Sequence, residues 1–314
     1  MPPRSPLPPR HGLGAAWVRT PDRDPAAPWT TLGEWLRHRL PDRVDVSAML
    51  ADGRFVDQRG EPVDGSEPYT PHTFLWFHRD LREEPRVPGQ VEVLHRDERL
   101  VVVDKPPFLS TIPRGGHVVE SVVVRLRAAL DLPELTPAHR LDRVTSGVLV
   151  LTTQRRWRGS YQAMFQDRAV RKTYRALAPW RDDLALPVVV RDHLRKERGQ
   201  WQVRVVPDAP VNAETRVELE ERRGDLAVYR LTPRTGQTHQ IRAHLWGLGV
   251  PIVGDPLYPE VLDVGVDDFT TPLQLIAHEL AFDDPIDGSA RRFTSRRELP
   301  VAGEAGAGPA GTVG

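Results

Sequence analysis

HRLDRVTSG (139–147) runs directly into the apolar stretch GVLVLTT (147–153). It sets one carboxylate, Asp142, between Arg140 and Arg143, with a hydroxyl pair and a glycine close behind. A carboxylate held near guanidinium groups stays ionised even when partly desolvated, because the opposite charge offsets the cost of burial. Such a group is a poor general acid but a serviceable nucleophile or electrostatic base. In proteins at large an Arg–Asp pair more often fastens a turn. Position argues for function, because this turn enters a strand, and rigid strand ends are where sites are presented.

The flanking sequence supplies the rest of a mixed fold. VEVLH and LVVVDKP, joined by RDER (96–99), read as a hairpin, and SVVVRLRAALDL reads as a helix with Val122, Leu126 and Leu130 on one face. RRWRGSYQAMFQDRAV is helical, with Trp157, Tyr161, Met164 and Phe165 inward, and RKTYRALAP alternates as a strand. Residues 186–232 form a β-rich excursion. QTHQIRAHLWGLG is a second clear helix ending at glycine, with Ile241 and Leu245 inward and Arg242 one step off that stripe. Strands and helices mix without strict β-α-β alternation, which predicts an α+β fold with a mixed, largely antiparallel sheet and flanking helices.

Toward the N-terminus, TLGEWLRHRL places Leu32, Trp35, Leu36 and Leu40 on one helical face, and VSAMLADG is a second short helix ending at Gly53. RFVDQRGEPVDGSEPYTPHTFLWFHR reads as short strands joined by turns, a β-hairpin following two helices. The expected organisation is a disordered Pro/Arg-rich tail (1–28), a small N-terminal α/β module (29–80) and a linker (81–90). A catalytic domain (91–300) and a small-residue tail (301–314) follow.

Composition narrows the function classes. No apolar run approaches the roughly 18 residues of a membrane span, and the N-terminus lacks the apolar core of a secretory signal. There is no cysteine, which removes disulfides, thiolate nucleophiles and Cys-based metal sites and fits the cytoplasm. The 43 basic and 43 acidic side chains cancel, but not locally. Residues 139–175 hold nine Lys/Arg against two acids, and residues 255–300 hold ten acids against four arginines. Opposed segments suggest one basic face, as a nucleic-acid binder needs. No P-loop, G-x-S-x-G elbow or G-x-G-x-x-G fingerprint is present. His239 and His244 are five apart, the wrong spacing for two ligands on one helix face, so they read as capping or packing residues and no metal is expected.

HRLDRVTSG resembles the HRLDxxTSG signature of the RluA family of pseudouridine synthases. Four further segments resemble that family in order: DKPPFL (104–109), RKTYRA (171–176), LTPRTGQTHQIRAHLWGLGVPIVGDPLY (231–258) and LQLIAHELAF (273–282). Together they span about residues 91 to 285. The N-terminal module loosely resembles the α-L module that precedes many RNA-modifying domains.

The resemblance implies isomerisation of uridine in a structured RNA, ribosomal or transfer, by a monomer without cofactor or metal. The N-glycosidic bond breaks, the base rotates, and a carbon–carbon glycosidic bond forms. It implies Asp142 as nucleophile, Arg242 as its salt-bridge partner and Tyr174 stacked on the everted uracil. Arg140, with Arg143 and Lys172, would contact RNA and fill the vacated stack, and Leu275 would wall the base pocket. The residues leave open the RNA, the uridine, and whether attack falls on ribose C1′ or the ring. There are departures: Gln237 stands in place of the family's arginine, Ile276 where a histidine is common, and DKPPFLSTIPRGG for a glycine-rich, histidine-containing loop. Two rivals remain. One is a non-catalytic RNA-binding protein that keeps the fold. The other is a carboxylate-dependent nucleoside or glycoside hydrolase, which needs a second catalytic acid; within the matched segments Asp255 is the candidate.

Overall fold

The computed structural model describes residues 3–22, 29–81, 83–113 and 117–300. The chain forms two compact units, one within residues 1–83 and one within 84–314. Among the described residues no helix is long and apolar enough to cross a membrane.

The first unit contains β1 (Ala16–Arg19), α1 (Leu32–Arg39), α2 (Val46–Ala51) and β2 (Phe74–Phe77). Thr31 and Glu34 form a reciprocal capping box that starts α1. Trp35, Leu36, Met49, Leu50, Phe55 and Leu75 make a small core. Within residues 54–79 the expected pairing is reduced to a tight antiparallel turn, Val56 bridging Pro62, and a bridge from Val56 to Trp76 in β2. The strand partner of β2 is β1, antiparallel, from inside the stretch read as a disordered tail. Sequence periodicity missed β1 because it has four residues, of which Val18 alone is buried. Residues 23–28 of that tail, and the C-terminal tail 301–314, lie outside the described residues.

The second unit begins inside the stretch read as a linker. The Glu84 carboxylate accepts from the backbone N–H groups of Val118, Val119 and Glu120, and Val87 is buried. Its elements are β3 (Glu92–Arg96), β4 (Leu100–Lys105), α3 (Val122–Leu130), β5 (Thr136–Pro137), β6 (Ser146–Thr152), α4 (Arg155–Gln166), β7 (Arg171–Pro179) and β8 (Val188–Asp192). They continue with β9 (Leu194–Arg195), β10 (Arg204–Val205), β11 (Ala213–Arg223), β12 (Leu226–Pro233), α5 (Gln240–Gly247), β13 (Leu275–Asp283) and β14 (Ala290–Thr294).

The main sheet runs β3-β4-β6-β13-β7-β12-β11-β8, with β14 beside β13 and β5 beside β6. Among its described pairs β6–β13 is parallel and the rest are antiparallel. The fold is α+β, as the mixture of elements predicts. Residues from α3 and α5 pack on one face of the sheet, and Tyr161 and Met164 of α4 pack on the other. β4 and β6 are buried along their whole length, which explains their continuous apolar runs.

The sheet register brings separate sequence motifs together. Ala277 of β13 pairs with Gly147 of β6 on one side and Tyr174 of β7 on the other. Gly147 has φ 109°, and a Cβ there would lie 2.3 Å from the Ala277 carbonyl oxygen. No side chain fits. The glycine that closes HRLDRVTSG is therefore what lets β6 approach β13.

Candidate active site

Asp142 lies in the loop between β5 and β6, which is pinned from two directions. The Thr111 hydroxyl donates to the Leu141 carbonyl at 2.8 Å and accepts from the Leu141 N–H. Lys105, fully buried, donates to the carbonyls of Pro106, Leu109 and Arg143 at 2.8–3.0 Å. Burial pushes the Lys105 ammonium well below its usual pKa range, and the Asp142 carboxylate opposes that shift. His139 helps in a different way. It stacks on Phe165, and its Nε2 accepts from the Val150 N–H, which requires a neutral ring; burial lowers its pKa to about 3.

The carboxylate faces a cavity of about 100 Å³. Around it stand Arg140, Lys172, Tyr174, His239, Arg242 and Leu275, contributed by the Asp142 loop, β7, the β12–α5 turn, α5 and β13. Of the residues singled out from sequence, six meet here. Arg143 does not line the cavity: its guanidinium lies over the Phe108 ring and reaches the Phe108 carbonyl at 3.4 Å.

The neighbours of Asp142 in sequence do not clamp it. Its ion-pair partner is Arg242, whose Nη1 is 3.5 Å from Asp142 Oδ2. Arg242 was expected at the edge of an amphipathic helix, but it is 2% exposed. The reason is that α5 is buried from Gln240 to Leu245, and each of its polar side chains there makes at least one polar contact. The Gln240 carboxamide accepts from Thr235 and donates to Thr215, and His244 Nδ1 meets the Thr215 hydroxyl. Arg242 makes a forked pair with Asp255, Nε to Oδ2 at 2.8 Å and Nη2 to Oδ1 at 2.6 Å. The same Asp255 oxygen accepts from the N–H groups of Leu257 and Tyr258. Asp255 thus fixes the fork, leaving Nη1 to face Asp142. Its oxygens are occupied and it does not line the cavity, so it does not supply the free second carboxylate a hydrolase needs.

His239 belongs to the site, although its spacing from His244 suggested a capping or packing role. It sits at the start of α5 with φ 53°, and its Nε2 is 4.0 Å from Asp142 Oδ2. Burial holds its pKa at about 4, so the ring is neutral near pH 7. The Tyr258 hydroxyl accepts from the Val203 N–H at 2.8 Å and lies 3.3 Å from His239 Nδ1. A neutral ring that accepts there from Tyr258 carries its proton on Nε2, the nitrogen facing Asp142. Only the position of this histidine inside the family-like THQIR block hinted at such a place.

Tyr174 is half-buried in the cavity wall; burial, and secondarily the Asp142 charge, raise its pKa. Lys172 donates to the Thr235 carbonyl at 3.0 Å. Leu275 is buried in the wall, whereas Ile276 points to the opposite side and packs with Leu177 and Val228. The isoleucine that departs from the family pattern therefore lies away from the cavity. Arg140 is exposed at the rim and forms no ion pair among the described residues. No group of three or more His, Cys, Asp or Glu among the described residues is placed to hold a metal ion.

A family model described as RNA pseudouridylate synthase matches residues 99–246. An uncharacterized RNA pseudouridine synthase of Synechocystis is 32% identical over 218 residues, covering 65% of this chain and 70% of the relative. The dual-specificity RNA pseudouridine synthase RluA of Vibrio cholerae is 30% identical over 210 residues, covering 62% and 78%. Among solved structures, human RNA pseudouridylate synthase domain containing 4 is 28% identical with a TM-score of 0.50, covering 67% of this chain and 88% of that one.

Proposed function

Because the chain belongs to the RluA family of RNA pseudouridine synthases, we propose that it isomerises uridine within a structured ribosomal or transfer RNA, with Asp142 as the nucleophile toward an everted nucleotide. It would act in the cytoplasm as a monomer, without a cofactor. The single observation that carries the reading is the convergence of Asp142, Arg242 and Tyr174 on one cavity from three distant parts of the chain. A non-catalytic RNA binder would have no use for a carboxylate oriented in this way.

The geometry suits the chemistry. Breaking the C1′–N1 bond would leave charge on the freed base that the Arg242 guanidinium, and His239 with its proton on Nε2, would stabilise. The Tyr174 ring would give the freed uracil a flat face against which to rotate, with Leu275 beside it in the cavity wall. The new C1′–C5 bond displaces the hydrogen on carbon 5 as a proton. Asp142, a free carboxylate again once the base has re-bonded, would accept it, with the Tyr174 hydroxyl, kept protonated by burial, assisting as a relay. Arg140 at the rim would occupy the gap left by the everted base and meet its phosphates. Arg143 is left a supporting role through Phe108.

The test uses transcripts labelled with tritium at uridine carbon 5, because isomerisation releases that hydrogen to water. Asp142→Asn should lower tritium release by about 10³-fold or more while RNA affinity stays near that of the wild type. Appearance of free uracil instead of pseudouridine, or full activity of the Asn variant, would sink the reading. Mapping pseudouridine in total RNA with and without the protein would then name the target.

A further inference from the structure

The β-rich excursion after β8 has no part in the chemistry above, yet it ends beside it. β9 and β10 form a small hairpin whose tip turns at Glu197–Gln200 with Gly199 at φ 83°. Between His193 and Val206 it carries four basic residues, Arg195, Lys196, Arg198 and Arg204, against one acid, Glu197. Glu197 pairs with Arg204 and, more distantly, Arg195. Arg198 is exposed and has no ion-pair partner among the described residues. Trp201 stands in the middle with 69% of its surface exposed, the largest value among the exposed large hydrophobic residues.

A lone exposed apolar residue is ordinary. This one differs because the backbone around it is held from several sides while the ring is left bare. Lys196 donates to the carbonyls of Gln200 and Trp201. The Gln202 side chain donates to the carbonyls of Leu257 and Pro259, and Val203 is buried. The same anchor leads to the catalytic cavity. The Val203 N–H holds the Tyr258 hydroxyl, which faces His239, which faces Asp142. Lys196 is close enough to His239 to disfavour its protonation.

We propose that the β9–β10 hairpin is a second RNA contact, on which the base of an unpaired nucleotide flanking the everted uridine stacks on Trp201 while Arg195 and Arg198 meet its phosphates. An aromatic face on an anchored backbone, framed by cations, is what single-stranded nucleic acid recognition requires, because every base has a π-face and every linkage a negative charge. Paired RNA offers no base to stack, so the hairpin discriminates loops from stems. The inference rests on the reading of this chain as an RNA-modifying enzyme and extends it to what flanks the target uridine.

Fluorescence anisotropy with a labelled stem–loop RNA bearing an unpaired uridine-containing loop, and with a blunt duplex of the same length, tests it. Trp201→Ala should weaken stem–loop binding about tenfold and leave duplex binding nearly unchanged. Trp201→Phe should recover most of the loss. Arg198→Ala should weaken both and reduce the salt dependence by about one unit of slope. Wild-type affinity of Trp201→Ala for the stem–loop, or equal losses on both RNAs, overturns the proposal. Either result leaves the catalytic reading intact, since that is judged by tritium release from Asp142→Asn. Wild-type protein that binds neither RNA overturns both.

Discussion

The inner wall and the rim of the cavity are built on opposite principles. At and behind the wall, Arg242 is almost fully buried and held by a doubly bonded pair with Asp255 beneath it, and Gly147 in the supporting sheet allows backbone contact with no room to spare. At the rim, Arg140 is exposed and without an ion-pair partner among the described residues, and Lys172 is half-buried with a backbone carbonyl as partner. A group that must meet a reacting atom gains from being held, because small displacements are expensive in rate. A group that must meet a phosphate gains from being unpaired, since each internal ion pair would have to break first. The division predicts that wall substitutions damage folding or turnover and rim substitutions damage binding.

The wall breaks most completely at Gly147. Gly147→Ala puts a methyl group 2.3 Å from a carbonyl oxygen at φ 109°, and neither backbone can yield without unpairing β6 from β13. We expect a loss of several kcal/mol, on the order of 4 or more, seen as insolubility or a large fall in the urea midpoint. An alanine variant of wild-type stability would show that the contact between these strands is looser than described.

Acid pH attacks the wall next. His139, His239 and His244 are held neutral by burial, with pKa values at about 3, 4 and 4 against 6.5 for a free side chain. The folded-state values are lowered, so between pH 6.5 and about 4 the unfolded chain binds more protons and stability falls as pH falls. Each histidine contributes a slope of up to about 1.4 kcal/mol per pH unit. Urea unfolding at pH 7 and pH 5 measures it, and His139→Gln should remove one histidine's share. A stability unchanged between those pH values would mean that the rings are already protonated or exposed.

Arg242→Lys keeps the charge and loses the fork. Lysine can meet either Asp255 or Asp142, but it cannot hold a fixed plane between them. Turnover should fall by about 10²-fold, with RNA affinity little changed. A fall in affinity with normal turnover would place Arg242 with the rim.

How much of this was legible beforehand differs between the two regions. The loop bearing Asp142, the strand bearing Tyr174 and the helix bearing Arg242 could be placed from apolar periodicity and from the likeness of their motifs to a family. The pairing of Asp142 with Arg242, one hundred residues later, could be named only through that likeness. Sequence adjacency alone points to Arg140 and Arg143, which flank Asp142 and do not pair with it. Asp255 was visible as an acid in GDPLY, but its pairing depends on a helix that is polar and buried at once. Periodicity read that helix as amphipathic and put Arg242 at its edge. β1 was missed for the opposite reason, being too short to show a period. His239 was set aside because its spacing from His244 is wrong for a metal, and spacing does not register a left-handed residue at the start of α5 that brings the ring to 4.0 Å from Asp142.

The smallest expected effect is at the rim, where Arg140 supplies charge and bulk without internal partners. Arg140→Ala removes one exposed cation and should leave the urea midpoint within about 0.5 kcal/mol of wild type. Its loss should appear in RNA binding, as an affinity about fivefold weaker at low salt and a salt dependence lower by about one unit of slope. If Arg140 also fills the stack vacated by the everted base, turnover at saturating RNA falls as well, and Arg140→Lys, which restores charge but not the planar guanidinium, recovers binding without recovering turnover. Recovery of both by lysine would reduce Arg140 to a phosphate contact. Loss of stability on removing it would mean that rim and wall share their load.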